Sequence, residues 1–464
     1  MVDHNGKTAV ENFGGIPYSV FCPASKPYQK YAPLLVRRML AQGFDAVYCD
    51  QVGAARAITC HAQNHLHAPG SPENWYHLGQ FPAFDSVRSS AEFGSRSMMF
   101  TEDNAENCVN LFDGVLPWRW VFRHQVPLFP LVYSGKTQLF GGISGGTPEA
   151  AYAILAGQLV SGGQFYQAGI TSPLLADLRG YLRNMIYLRI ALKSFFQNGM
   201  MQRIPRLRQP VEMIENFWAY HYDRVIPTPA VVTGSWKVGD CTAYILINIS
   251  GKTQKNALET KVDASALCFS TAAGKMRKLR TGDSWEIAPR HALLLLTGRV
   301  PEELKKHVEL QFEKMLSAPR DPFIPDLTNL PPTPVSAAEK EHSGADAAKV
   351  WNGIVNRQNR SVTYISRTCV YAGKVRFTGR ETSLKVKLAA PADSGVGRIE
   401  VRIGNPVDGK LIAVISLDKR FRTRSWNHFQ KLEVPADKIP AGDAALFFNF
   451  LGEQLCNFGS WQFQ

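Results

Sequence analysis

No run of about eighteen apolar residues, the length a membrane-crossing helix needs, occurs anywhere in this 464-residue chain. The opening segment MVDHNGKTAVENFGG also has no apolar stretch of the kind an export signal carries. The expectation is a chain with neither membrane span nor signal peptide. The eight cysteines (22, 49, 60, 108, 241, 268, 369 and 456) include no C-x-x-C pair and lack the dense spacing of a disulfide scaffold, so most are expected to be buried small hydrophobes. The net charge is +13, yet Lys and Arg are spread without a block of five or six. That pattern argues against a nucleic-acid partner, while generic attraction would suit an acidic glycan.

What is present is enough for several cores. A 45% hydrophobic and 20% charged composition is that of globular protein, and the length calls for two to four domains. Up to about residue 225, short apolar runs alternate with helical stretches, the texture of a parallel α/β domain. IPYSVFC (16–22), FDAVYCD (44–50), RSMMFTED (96–103), LFPLVYSG (128–135) and GGQFYQAG (162–169) are expected strands. Helices are expected over 28–42, with Tyr31, Leu35 and Met39 as the apolar stripe, and over 173–198. Five strands fall short of a closed (β/α)8 barrel, so the expectation is a partial one.

From 226 to 300 the pattern becomes alternating, as in TAYILINIS and ALLLLTG, and predicts an antiparallel β-sandwich. Residues 301–345 read as a helix with Leu304, Val308 and Met315 in a stripe, followed by a proline-rich tether. Residues 346–464 alternate again and predict a second sandwich, independent of the first.

Parallel barrels place reactive groups at the C-terminal ends of their strands. AVYCDQVGA delivers Asp50 there and SMMFTEDNAE delivers Glu102. Two carboxyl groups on neighbouring strand ends can face each other across a sugar, and retaining hydrolysis needs them about 5 Å apart. Asp50 would attack, and Glu102, its pKa raised by burial or by its neighbour's charge, would protonate the leaving oxygen. A strand-end acid is more commonly a cap or a solvated loop residue, and that reading stands beside the catalytic one.

The loop between the two acids, TCHAQNHLHAPGSPENWYHLGQ, offers His61 and His65 to sugar hydroxyls and Trp75 as a stacking ring. Cys60, His61 and His65 raise zinc, but their spacing matches no standard finger, so no metal or other cofactor is expected. Asp113 and Tyr133 are further pocket candidates, set against helix-end capping and core packing.

YSVFCPASKPYQ, FDAVYCDQVGA, NHLHAPGSPENWYHLG, MMFTEDNAENCVNLFDG and VPLFPLVYSG together resemble the bacterial glycoside hydrolases defined by the domain of unknown function 6259. The resemblance spans about residues 15–225. It implies a TIM-barrel hydrolase akin to retaining α-glycosidase clans, with Asp50 and Glu102 at the matching motif positions. It also implies an N-terminal β-domain and opening barrel strands ahead of YSVFCPAS, so a missing N-terminal half is one expected partner. Residues VTYISRTCVYAGKVRF, GRIEVRIGNPVDGKLIAVISL, RTRSWNHFQKLEVP and FFNFLGEQLCNFGSWQF resemble carbohydrate-binding module family 6. Trp426 matches one sugar-pinching ring of that family, Cys369 or Tyr371 falls at the second, and Asn457 matches the anchoring Asn. Trp426 and, more so, Trp461 could instead fill the sandwich core. The expected function is a retaining glycoside hydrolase, extracellular or periplasmic by activity. The alternative is a catalytically inactive partial barrel that binds carbohydrate.

Overall fold

A computed structural model describes the chain except residues 14–15, 118–126, 142–147, 166–171, 218–224, 261, 263–265, 274–276, 279–283, 319–329, 393 and 453–454. Strands β1 (Val10–Phe13) and β2 (Ile16–Ser19) form an antiparallel hairpin. This corrects the expectation that IPYSVFC is a barrel strand. Helix α1 (Lys26–Ala41) follows, capped by the Ser25 hydroxyl and with Pro27 in its first turn, where a missing N–H costs nothing. The helix is where the sequence places it, but Tyr31, Leu35 and Met39 are exposed, and Pro33, Val36 and Leu40 are buried instead. The two stripes lie on adjacent faces of one helix, and the apolar period alone does not choose between them.

The central feature of the N-terminal part is a parallel sheet of β3 (Ala46–Cys49), β4 (Met98–Glu102), β5 (Gly114–Leu116) and β6 (Gln138–Leu139), in chain order. Phe140 bridges Gln164 in parallel at its far edge, and the rest of the expected strand, 166–169, lies outside the described residues. Among the described residues this is an open sheet, not a closed barrel. LFPLVYSG is also corrected: Leu128–Tyr133 is a helix, α3. An apolar run of six carries no period that separates helix from strand.

Alternation sorts the sheet into two faces. Val47 and Met99 point to α1 and α2 (Phe81–Arg88), in a core with Val36, Leu40, Phe84 and Val87. Tyr48 and Phe100 point the other way and meet Phe140, with ring centroids 6.1 and 4.9 Å away. Gly114 makes room for this layer, because a Cβ there would lie 2.6 Å from the Phe100 ring.

The second unit is a six-stranded sheet that includes Val231–Val238, Cys241–Asn248 and Ala292–Gly298, paired antiparallel as the sequence predicts. One face packs against helices α4 (Pro148–Val160), α5 (Ala176–Ala191), α6 (Lys193–Asn198) and α7 (Glu302–Ser317) in a single core. The other face covers a smaller cluster containing Trp285 and Ile287. A boundary at 225 therefore cuts through a continuous core. The helix assigned to the 301–345 linker belongs to that core too, with Val308, Phe312 and Met315 buried.

The C-terminal unit is a ten-stranded, almost wholly antiparallel assembly. It begins within the expected tether: Ser336–Ala337 pairs with Val375–Arg376, and His342–Ser343 with Ser460–Trp461. The unit is not independent, since Trp351, Cys369, Tyr371 and Phe447 form a buried cluster against Leu174, at the entrance to α5. Trp461 is buried in the main sandwich core, as expected. Among the described residues no helix is long and apolar enough to cross a membrane.

If α7 is core rather than linker, Phe312→Ala costs about 3–5 kcal/mol in urea unfolding of the full chain. A solvated linker position would lose less than about 0.5 kcal/mol.

Candidate functional site

The β3–β4 ladder runs Ala46↔Met98, Val47↔Met99, Tyr48↔Phe100, Cys49↔Thr101. β3 ends at Cys49 and Asp50 opens the turn that follows, while Glu102 is the last residue of β4, so both acids lie at the C-terminal rim of the sheet. Glu102 is 9% exposed and accepts a hydrogen bond at Oε2 from Gln51 Nε2 at 2.8 Å. Asp50 is exposed at the start of the next turn.

Local chemistry holds this rim in place. Thr101 Oγ1 donates to the Cys49 carbonyl (2.9 Å) and accepts from the Gly53 N–H (3.0 Å), folding the segment after Asp50 over the end of β4. A Cβ on Gly53 would sit 2.6 Å from the Glu102 carbonyl oxygen, so only glycine fits. Gln51 and Asp103, each directly after a candidate acid, both have φ 64°. Left-handed backbone at non-glycine residues is uncommon and gathers at functional sites.

Several expected site residues lie elsewhere. Asp113 is at the N-terminal end of β5, the opposite end of the sheet. There its Oδ1 pairs with Arg88 at 3.1 Å and its Oδ2 accepts from the Met99 N–H at 2.8 Å. It is a sheet-to-helix clasp and not a pocket acid. Trp75 is 4% exposed in a cluster with Cys22, Ala24, Cys60 and Ala62, so its faces are not open to a sugar ring. His65 Nδ1 lies 3.4 Å from Cys60 Sγ, and the His65 ring packs on His67. His61 lies against Gly70 and His4. The loop histidines are thus engaged with their own loop and the N-terminal segment.

Tyr133 sits at the end of α3, where its hydroxyl donates to Glu106 Oε1, and this bond holds the phenol pKa above its ordinary value. Glu106, four residues beyond Glu102, is a rim acid that the sequence argument did not single out. It follows β4 by the same strand-end rule that selected Glu102. A cleft of about 500 Å3 lined by Gln202, Arg203, Arg206, Lys237, Tyr244 and Glu259 belongs to the second unit and not to the acid pair.

In the C-terminal unit, Tyr371 is 1% exposed and stacked on Phe447 at 5.0 Å, and Cys369 beside it is fully buried. Neither can present a ring to a ligand. Trp426 is half-buried in the loop after Thr423. Asn457 Nδ2 donates to the Trp426 carbonyl at 2.8 Å, and Asn359 Nδ2 to Asn427 Oδ1 at 2.9 Å, so this loop is tied down on both sides of the ring.

Residues 2–144 match the family described as "Domain of unknown function (DUF6259)". The DUF6259 match contains both rim acids and the whole Cys/His loop, and it ends well before residue 225. A Bacteroides thetaiotaomicron protein described as "Putative glycoside hydrolase" is 26% identical over 258 residues, covering 52% of this chain and 37% of that protein. The chain thus spans little more than a third of this curated relative. The Arthrobacter globiformis T6 isomalto-dextranase solved with panose aligns with 97% of this chain and 74% of its own, at 11% identity and TM-score 0.35. A family 6 carbohydrate-binding module from Clostridium cellulolyticum, solved with xylose, aligns over 28% of this chain and 99% of its own, at 17% identity and TM-score 0.25.

The assignment of Asp113 is testable by thermal or urea unfolding. Asp113→Ala leaves the Met99 N–H without its acceptor and destabilises the chain by about 1–3 kcal/mol, while any glycan affinity stays unchanged.

Proposed function

We propose that this chain is the acid-bearing part of a glycoside hydrolase, with Asp50 as nucleophile and Glu102 as general acid/base in a retaining double displacement. The observation that supports this reading is that Asp50 directly follows β3 and Glu102 ends β4, two strands paired side by side in parallel. Adjacent strands lie about 4.8 Å apart. That backbone spacing is compatible with the roughly 5 Å between carboxyl groups that retention requires. Glu102 is nearly buried and Asp50 is exposed, so the two acids sit in unlike surroundings, as two different roles require. The similarity to the Bacteroides thetaiotaomicron protein supports the reaction class. The sugar-facing part of the C-terminal unit is the Trp426 loop, with Asn457 as its anchor, and carbohydrate is the ligand.

One observation favours a second reading, a carbohydrate-binding protein without turnover. Tyr48 and Met98 are exposed on the inner face of the open sheet, where a working hydrolase would exclude water.

Turnover of aryl glycosides separates the two. Asp50→Asn abolishes turnover. Glu102→Gln lowers it by about 10²–10⁴-fold for a poor leaving group such as phenol, and far less for dinitrophenol, which departs without protonation. Equal loss with both leaving groups, or wild-type rates in either variant, removes the assigned roles. A wild type that turns over no aryl glycoside yet binds glycans supports the second reading. Separately, Trp426→Ala in the full chain abolishes glycan-array binding by the C-terminal unit while leaving the unfolding midpoint within a few degrees of wild type. Retained binding would move the ligand site elsewhere.

A further inference from the structure

Cys22, Cys60, His65 and His67 come from two places in the sequence and converge at one point. One potential ligand atom from each lies within 4.8 Å of all the others. Cys22 follows the β1–β2 hairpin, and the other three belong to the segment from Gln51 to Ser71, which contains neither helix nor strand. Cys22 Sγ lies 3.4 Å from His67 Nε2, and Cys60 Sγ lies 3.4 Å from His65 Nδ1. Zinc bound at about 2.3 Å to sulfur and about 2.0 Å to nitrogen holds tetrahedral ligand atoms about 3.3–3.8 Å apart. Two of the contacts already have that spacing, and every other pair of these atoms lies within 4.8 Å.

The surroundings are those of a built site. His67 Nδ1 is 2.8 Å from the Ala68 carbonyl oxygen. A carbonyl only accepts, so Nδ1 carries the proton, and the lone pair of the neutral ring is on Nε2, facing Cys22. A ring N–H bonded to a backbone carbonyl is the usual support of a metal-ligating histidine. The fully buried Asn74 directs Nδ2 toward Cys22 Sγ at 3.9 Å while bonding the Ile58 carbonyl at 3.0 Å, which places an N–H donor beside a would-be thiolate. Cys22, Cys60 and His67 are buried, and only His65 is partly exposed.

We infer that Cys22, Cys60, His65 and His67 form a structural zinc site that clamps the Gln51–Ser71 segment to the β1–β2 hairpin. Four protein ligands leave no open position for substrate, so the ion does not take part in chemistry on a sugar. On binding, the two thiols give up their protons to solvent, and the ion is held by two thiolates and two neutral imidazoles. A loop this long without regular structure usually needs a fastening to hold one shape, and this one leads directly out of Asp50. The clamp thereby holds the segment whose first residues, Gln51 to Gly53, form part of the rim. His61 is not a ligand: its ring lies against Gly70. The inference is independent of the hydrolase reading and stands even if no glycoside is turned over.

The test is metal content of the full chain, purified under reducing conditions without chelator and supplied with zinc. The expected result is one zinc per chain, kept by His61→Ala and lost by Cys60→Ser and by His67→Ala. Cobalt substitution should give the intense visible bands of a tetrahedral ion together with near-ultraviolet thiolate charge transfer, both absent in Cys22→Ser. Should the ligand variants fail to fold, wild type alone decides: a strong chelator lowers its melting temperature by several degrees, and added zinc restores it. Wild type holding less than about a tenth of an equivalent of zinc overturns the inference. So does a Cys22–Cys60 disulfide in non-reducing peptide mapping, and so does full zinc retention in Cys60→Ser together with His67→Ala.

Discussion

The Thr101 hydroxyl is the point on which the candidate site depends. It donates to the last carbonyl of β3 and receives the N–H of Gly53, so the chain leaving Asp50 must turn back across the end of β4. Gly53 then sits where any side chain would strike the Glu102 carbonyl. With the turn so constrained, Gln51 and Asp103 take left-handed backbone, and Gln51 reaches Glu102. The shape of this rim thus follows from one β-branched polar residue and one glycine, neither of which is itself reactive.

The open parallel sheet runs directly into the next unit. After β6 the chain enters α4, and α4 packs on the antiparallel sheet: Trp236 Nε1 donates to the Val160 carbonyl at 2.8 Å, and Gly234 admits the Val160 side chain. The same core takes in α5, α6 and α7, and the C-terminal sandwich rests on Leu174 just before α5. The core shared by these helices and the antiparallel sheet, and the contact at Leu174, make the units that meet there mutually dependent. A reading by texture divides the chain where the pattern changes. The cores divide it where apolar faces meet, and the two divisions differ at residue 225 and within 301–345.

That Asp50 and Glu102 lie at the ends of parallel strands was legible because the apolar runs before them mark those strands. Trp75 and Tyr371 were misplaced for the opposite reason. An aromatic residue has the same composition signature whether it stacks on a ligand or fills a core, and only the neighbours decide. Asp113 was misplaced because the acid lies just before its strand, at the end of the sheet away from the rim. The sequence marked Cys60, His61 and His65 as possible ligands at no finger spacing, and His61 is not in the cluster the structure forms. Cys22 and His67 complete the set only because the hairpin and the loop fold together.

Helices α1, α5 and α7, strands β3 and β4, and the alternating strands of both antiparallel units were all determined by the sequence alone, through periods of 3.6 and 2 that any local window contains. Tertiary structure alone decided which stripe of α1 is buried, whether LFPLVY coils or extends, where one core ends and the next begins, and which histidines meet which cysteines. These are contacts between segments far apart in the chain, and a local window holds no term for the free energy of burying one distant surface against another.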